Sequence, residues 1–286
     1  MSSFPLLAAI LSGLCFTLLG ILLKRNTNAT QSPFILPSWL ALLFPLWMLL
    51  FVTTHATGNL TFNFAPSALV WPLLWATCTV TTTTLLVWLL QSLSLTEVAG
   101  YKKALLTILA SGADVFIFQT AFPIATIAAI ALILGGSFGI GQARHKLPTP
   151  LQAAAIVGWC LVLTLQVSAY KQGQLFQPAI MSHTIIAQGM STFLYTLLWL
   201  LPAVNRNPLP RIAVAGPILL VAFTGVVLEG FAYAGLPLAV IIIITMSGAA
   251  LFIVHDLWHG DLPRTKRSYA SLAAIALGFL LLILPK

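Results

Sequence analysis

The sequence predicts an all-α, polytopic membrane protein with ten transmembrane helices in two inverted five-helix repeats, and three observations support this fold class. The 286 residues are 59% hydrophobic and only 6% charged, against about 25% charged residues in soluble domains. Apolar runs of about 20 residues, the length that spans about 30 Å of hydrocarbon, follow one another along the chain. The first half of the sequence also recurs in the second half. A chain of this composition cannot cover itself with a water-compatible surface, which excludes a soluble protein.

The apolar runs define ten predicted spans with short connections. They lie near residues 4–23, 33–54, 66–91, 96–118, 122–141, 150–170, 177–202, 211–233, 236–256 and 268–285. No room remains for a separate soluble domain, and this argues against a soluble active site. The first span has neither a basic n-region nor an evident small-residue cleavage site, so we expect it to stay in the membrane and not to be removed as a signal peptide.

A constant offset relates the two halves of the sequence. The segment Pro5–Cys15 (PLLAAILSGLC) recurs as Pro150–Cys160 (PLQAAAIVGWC), an offset of 150 − 5 = 145 residues. The same offset relates Pro33 to Pro178, Pro72 to Pro217, Thr79 to Thr224 and residues 127–132 to residues 272–277, whereas residues 111–116 match residues 247–252 at an offset of 136. Five spans per copy is an odd number. The two copies, residues 1–146 and 147–286, are therefore expected to insert with opposite orientations around a pseudo-two-fold axis in the membrane plane.

The predicted fourth span is the most polar of the ten. It carries four of the chain's 13 basic and 5 acidic residues, namely Glu97, Lys102, Lys103 and Asp114. A charge at the centre of a spanning helix costs roughly 2.5 to 3.5 kcal/mol, so this helix is expected to line a wet cavity. Lys103, Thr107 and Asp114 share one helical stripe, which favours a cavity. In the alternative, the span starts near Glu97 and both lysines snorkel back to the interface to meet that carboxylate.

Two further spans carry polar stripes at helical spacing. They comprise Thr77, Thr81, Thr84, Trp88 and Gln91 in the third span, and Thr184, Gln188, Ser191 and Tyr195 in the seventh. The third-span stripe is predicted to form a cavity wall, and the alternative is that its threonines bond back to carbonyls of their own helix. Trp88 also suits a membrane interface. Beside the seventh-span stripe, His183 is either a hydrogen-bonded packing residue or a group for proton coupling, because histidine titrates near neutral pH.

Glu229 is an acidic residue well inside the predicted eighth span. By the 145-residue offset it corresponds to Thr84, and Tyr233 corresponds to Trp88. Each half therefore places a polar group and a large aromatic ring at matching depth. A carboxylate in apolar surroundings can exchange a proton or bind a cationic group. The alternative is a structural hydrogen bond to Tyr195 or to another hydroxyl.

The sequence predicts no metal site and no cofactor. Cys15, Cys78 and Cys160 fall inside apolar spans, where we expect them to act as small packing residues. His255 and His259 have helical metal-ligand spacing, but they fall in a predicted loop, and we expect no metal there. The net charge of +8 comes from basic residues in short loops, so it does not indicate nucleic-acid binding. The expected partners are a small-molecule substrate and membrane lipid, with the chain as a monomer or a homodimer.

We expect the protein to lie in an inner or plasma membrane, and the distribution of its basic residues predicts its orientation there. One side of the predicted topology carries Lys24, Arg25, Arg144, Lys146, Arg206, Arg211, Arg264, Lys266 and Arg267, and the other carries Lys171 and Lys286. The positive-inside rule then predicts that both termini face outward.

Ten spans in 286 residues, five plus five, with a fourth span of SLSLTEVAGYKKALLTILASGADVF, resemble the drug/metabolite transporter superfamily. The resemblance implies that the fourth and ninth spans line a substrate cavity. Its sugar-phosphate and nucleotide-sugar branches use lysines in the fourth span to bind anionic phosphate. Lys102 and Lys103 are the residues of this chain to which that comparison applies.

The favoured function is a secondary transporter that moves a small organic metabolite by alternating access, and not an enzyme. If either lysine faces the cavity, beside Tyr101, Thr84 and Trp88 and with Glu97 setting the local charge balance, the substrate is anionic or zwitterionic. If Glu97 neutralises the lysines, Glu229 and Asp114 dominate, and the protein exports cationic drugs or amines. Two other classes remain open. One is an integral-membrane lipid-modifying enzyme that uses His255, Asp256, His259 and Asp261, and the other is an accessory subunit.

Overall fold

The computed structural model describes residues 3–27, 31–58, 60–93, 95–119, 124–141, 149–177, 179–205, 211–245 and 265–283. Within these ranges the secondary structure is helical and contains no β-strand. The first part of the chain forms α1 (Ser3–Asn26), α2 (Ile35–Trp39), a 3₁₀ turn (Leu40–Leu43), α3 (Phe44–Ala56), α4 (Pro66–Ser92), α5 (Leu95–Phe116) and α6 (Ile124–Gly141). The rest forms α7 (Pro150–Phe176), α8 (Ile180–Leu197), a 3₁₀ turn (Leu198–Leu200), α9 (Pro202–Asn205), α10 (Ile212–Gly235), α11 (Leu238–Thr245) and α12 (Lys266–Ile283).

Side-chain hydrogen bonds satisfy open backbone groups at the ends of two long helices. At the start of α7, Thr149 Oγ1 accepts a hydrogen bond from Gln152 N, and Gln152 Oε1 accepts one from Thr149 N. This capping box satisfies two backbone donors that the first turn leaves open. At the end of α4, Lys24 Nζ donates to the carbonyls of Leu90 and Leu93. An ammonium group at that position also complements the negative end of the helix dipole.

Five helical segments are long and apolar enough to cross a membrane, judged by length and composition within the described residues. They are Phe4–Asn26, Ile35–Ala56, Pro66–Ser92, Pro150–Phe176 and Ile212–Gly235. The segment Ile35–Ala56, which was predicted as one span at 33–54, contains the 3₁₀ turn between α2 and α3. On α1, Leu7, Leu11, Leu14 and Leu18 are each at least 40% exposed and form one helical stripe. A continuous exposed leucine stripe is typical of a helix face in contact with lipid.

The helices pack in pairs around the centre of the molecule. α1 packs against α10, α4 against α7 and α8, and α5 against α7 and α11. α6 and α12 pack against each other through close backbone approach: a Cβ atom at Gly136 would lie 2.6 Å from the Ser271 carbonyl oxygen, and one at Gly278 would lie 2.9 Å from the Ala129 carbonyl oxygen. Small residues at these positions let the two helices come this close. The other long helices surround the cavity described next.

Candidate functional site

A cavity of about 210 Å³ lies between the helices that surround the centre of the molecule. Its wall is mainly apolar and includes residues of α1, α2, α4, α5, α7, α8, α10 and α11. A largely apolar wall with a few placed polar groups is typical of a binding pocket for a small organic molecule.

Two groups of opposite charge line this cavity. Lys102 comes from α5, and its Nζ lies 4.7 Å from the centroid of the Trp159 ring, a cation–π contact. Glu229 comes from α10, and its Oε1 accepts a hydrogen bond of 3.1 Å from the Tyr233 hydroxyl. Both side chains line the wall of the same cavity. The cavity therefore presents one cationic and one anionic group to a ligand.

Uncharged polar groups from α4, α7 and α8 extend this wall. Thr82 donates to Gln166 Oε1 over 2.8 Å, and the hydroxyls of Thr83 and Tyr195 are 3.0 Å apart. Gln188 also lines the cavity, and its Oε1 accepts a hydrogen bond from Ser191. The Gln188 side-chain nitrogen is buried without a hydrogen-bond partner among the described residues. A buried amide donor without a partner is costly, which makes this nitrogen a candidate to donate to a bound solute.

An aromatic cluster lies beside the Glu229 end of the cavity. The ring of Tyr170 lies 5.1 Å from that of Tyr233, 5.6 Å from that of Trp75 and 4.5 Å from that of His183. His183 itself is fully buried, and neither ring nitrogen has a hydrogen-bond partner among the described residues. The structure thus places His183 against Tyr170, which is itself buried.

Asp114 lies in a different place from Lys102 and Glu229. Its carboxylate is fully buried, 3.5 Å from Lys171 Nζ, and it accepts a hydrogen bond of 3.1 Å from the backbone N–H of Leu238 at the start of α11. Lys171, predicted as a loop residue, lies instead near the end of α7. Asp114 therefore joins three helices, α5, α7 and α11.

The third-span stripe lies on a different face of α4 from the cavity wall. Thr77 and Thr81 are exposed and donate to carbonyls of their own helix, as Thr84 also does. Trp88 is half-buried against the apolar core. The face of α4 in the cavity carries Trp75, Thr79, Thr82, Thr83 and Leu86. Sequence reasoning missed this face because four consecutive threonines, residues 81–84, put a hydroxyl on every side of the helix.

Several predicted residues lie outside the described part of the structure. Glu97, Tyr101 and Lys103 belong to α5, but their side chains are outside it. His255, Asp256, His259 and Asp261 are outside it altogether. Within the described residues, no cluster of three or more His, Cys, Asp or Glu side chains is arranged to hold a metal ion. Cys78 and Cys160 are buried with free thiols, and Cys15 is a half-buried free thiol.

The fold of this chain is similar to that of a solved structure, although its sequence matches no family model or curated protein. No protein-family model and no curated protein sequence matches the chain. A solved structure described as "Crystal structure of protein" is similar, with a TM-score of 0.68 and 14% sequence identity over 99% of this chain and 98% of that one. At this identity the likeness concerns the fold alone. The arrangement of helices over the whole chain is thus similar to one seen in a crystal.

Proposed function

We propose that this protein is a secondary transporter of a small zwitterionic or anionic organic solute, with a zwitterion the better fit. The observation that carries the proposal is the shared presence of Lys102 and Glu229 in one cavity inside a bundle of apolar helices. Charged groups inside a bundle of this kind are costly, so they are found where they pair or meet a substrate.

The pair of opposite charges favours a solute that carries both signs. A zwitterion places its acid group by Lys102 and its ammonium group by Glu229, so every charge in the cavity has a partner. A solute that is only anionic brings a like charge near Glu229. A solute that is only cationic brings a like charge near Lys102. Because charges interact strongly where water is scarce, this difference matters more in the cavity than in solution.

Export of cationic drugs or amines requires Glu229 and Asp114 to act together in the cavity. Asp114 is occupied by Lys171 and by the N–H of Leu238. Glu229 is then the only carboxylate among the described residues that line the cavity, and Lys102 lines the same cavity. This arrangement favours the zwitterion over a purely cationic drug or amine.

Helix pairing supports an inverted repeat of residues 1–146 and 147–286 with ten spans in all. Under the 145-residue offset, α1 corresponds to α7 and α4 to α10, so the α1–α10 pair corresponds to the α7–α4 pair, and both pairs pack. Ile133 and Gly278 are related by the same offset and lie next to each other in the α6–α12 contact. Two residues that a two-fold axis relates lie next to each other when both are close to that axis. Rocking of one half against the other would then expose the cavity to each side in turn.

In this proposal the protein is a multi-pass carrier of the drug/metabolite transporter superfamily in a cell membrane, as the resemblance of its sequence suggests. The printed sequence has no nucleotide-binding loop of the GxxxxGK(S/T) kind. Ion or proton coupling, exchange or facilitated diffusion then supplies the driving force. Glu229 is the first candidate for coupling, since it lines the cavity, whereas His183 packs against Tyr170 and is not among the described cavity-lining residues.

Thermal stability in detergent tests the ligand class. The ligands are matched sets: leucine or phenylalanine, the corresponding acids without the amine (4-methylpentanoate, 3-phenylpropionate), and the corresponding amines without the acid (3-methylbutylamine, phenethylamine). We expect the melting temperature to rise most with a zwitterion, because a ligand that binds only the folded state stabilises it. A larger rise with the amines than with the zwitterions would contradict the proposal.

A further inference from the structure

The buried carboxylate of Asp114 connects the two halves of the chain. It comes from α5 in the first half, whereas Lys171 on α7 and Leu238 on α11 belong to the second. Lys171 also lies over the Phe118 ring, with Nζ 4.6 Å from its centroid. The Lys171 side chain is 21% exposed and Asp114 is not exposed at all, so the pair sits just beneath the surface.

Other contacts between the halves lie at the same end of the bundle, which we call the Asp114 end. Gln177, just after α7, exchanges two hydrogen bonds with the backbone of Asn63 before α4, of 2.9 Å and 3.1 Å. A Cβ atom at Gly235, the last residue of α10, would lie 2.6 Å from Pro5 in the first turn of α1. The halves are therefore joined by polar and close-packed contacts at this end of the cavity.

Polar contacts of this kind suit a surface that must separate and rejoin. The attraction between two buried charges is largely offset by the water that each has lost, so the pair adds little net stability. When the helices separate, each charge regains water, and the cost of opening stays small. Removing one partner alone has a different effect, because the other charge remains buried and unpaired.

We propose that Asp114 and Lys171 form a gate that closes the Asp114 end of the cavity and breaks when that end opens. This inference rests on the proposed alternating access. α7 connects the gate to the site: three residues after Lys171, Gln174 Nε2 donates to the carbonyl of Gly230, next to Glu229, over 3.0 Å. A shift of α10 around a bound solute is then transmitted to the helix that carries Lys171.

Cysteine accessibility tests the gate without any substrate. In full-length protein with Cys15, Cys78 and Cys160 replaced by alanine, Val167→Cys places a thiol on the cavity wall. In proteoliposomes, a membrane-impermeant maleimide is added to one side at a time. A separate Thr61→Cys variant, exposed between α3 and α4, identifies the side on which the Asp114 end lies.

We expect Asp114→Asn and Lys171→Met each to raise the rate of Val167→Cys labelling from the Asp114 end by about tenfold, equivalent to about 1.4 kcal/mol. Asp114→Glu should stay near the parent rate. Lys24→Met is the matched control, because the hydrogen bonds of Lys24 to the carbonyls of Leu90 and Leu93 lie within the first half. It should leave labelling from the Asp114 end unchanged.

Equal labelling rates in the parent, Asp114→Asn and Lys171→Met proteins would overturn the gate, provided the variants keep a cooperative melting transition. If one variant fails to fold, the other decides the question, since both break the same pair. Transport by the parent protein is measured separately. If the parent protein transports a solute but the labelling rate is the same in all variants, the gate is wrong and the transport function stands. If the labelling rate rises in the variants but the parent protein transports nothing, the contact closes the cavity and the transport function is wrong.

Discussion

The hydroxyl of Tyr233 donates a hydrogen bond of 3.1 Å to Oε1 of Glu229, one helical turn earlier on α10. The bond holds the carboxylate at the cavity wall, where Tyr170 packs against the Tyr233 ring. A carboxylate has two oxygens with several acceptor positions, so one bond from tyrosine leaves capacity for an ammonium group. Tyr233 is in this account a positioning residue, and Glu229 is the group that meets the solute.

Glu229→Gln should weaken zwitterion binding by about tenfold to a hundredfold, because a hydrogen bond to a charged group contributes about 1.5–3 kcal/mol. Binding of the matched acid without an amine should not weaken. Tyr233→Phe should have the smaller effect, about threefold, since it loosens the carboxylate without removing it. Isothermal titration in detergent measures both variants. An equal loss for zwitterion and acid in Glu229→Gln would contradict the assignment of Glu229 to the ammonium group.

Lys102→Met should act on the other end of the solute. Methionine keeps an apolar stem against Trp159 and removes the ammonium, so we expect a loss of about tenfold to a hundredfold for zwitterions and acids and none for amines. Lys24→Met controls for the loss of a part-buried lysine, because Lys24 caps α4 and is not among the cavity-lining residues described. The same titrations provide the measurement. Unchanged acid binding in Lys102→Met would exclude this lysine from the site.

Gly230→Ala should destabilise the fold by about 1–3 kcal/mol. A Cβ atom there would lie 2.7 Å from the Tyr170 hydroxyl oxygen and 2.9 Å from Thr184 Oγ1, so it would push apart two hydroxyls that are hydrogen-bonded. Gly216→Ala on the same helix is the matched control. It meets nothing within 4 Å and should be neutral or slightly stabilising, because alanine favours helix more than glycine does. Thermal unfolding in detergent compares the two, and equal melting temperatures would count against the packing described here.

The positions of the helices, the charged residues inside them and the breaks between them were predictable from the sequence to different degrees. Apolar runs mark long helices such as α4 and α7, because length and hydrophobicity determine which segments suit a bilayer. A proline at the first position of each marks where the helix begins. Lys102 and Glu229 could be singled out because a charge inside such a helix is costly without a partner. The 3₁₀ turn between α2 and α3 lies inside one continuous apolar run, and its local signal is Pro45 at the start of α3, which has no backbone N–H to continue a helix from the preceding turn.

Which face of a helix meets a cavity depends on packing that the sequence does not encode locally. The threonine run at residues 81–84 has hydroxyls on all sides of α4, and the contacts of Thr82 with Gln166 and of Thr83 with Tyr195 select the cavity side. Asp114 shares a predicted helical stripe with Lys103, yet its ion pair is with Lys171 on α7. That pairing follows from the approach of α5 and α7, a contact between elements far apart in the chain.

Uptake by proteoliposomes tests the central claim most directly. Radiolabelled leucine and phenylalanine are compared with the matched acids and amines, in the wild-type protein, Lys102→Met and Glu229→Gln. We expect saturable uptake of a zwitterion by the wild type, a shift toward the amine in Lys102→Met and a shift toward the acid in Glu229→Gln. Saturable uptake of the amines alone, lost in Glu229→Gln and unaffected in Lys102→Met, would contradict it.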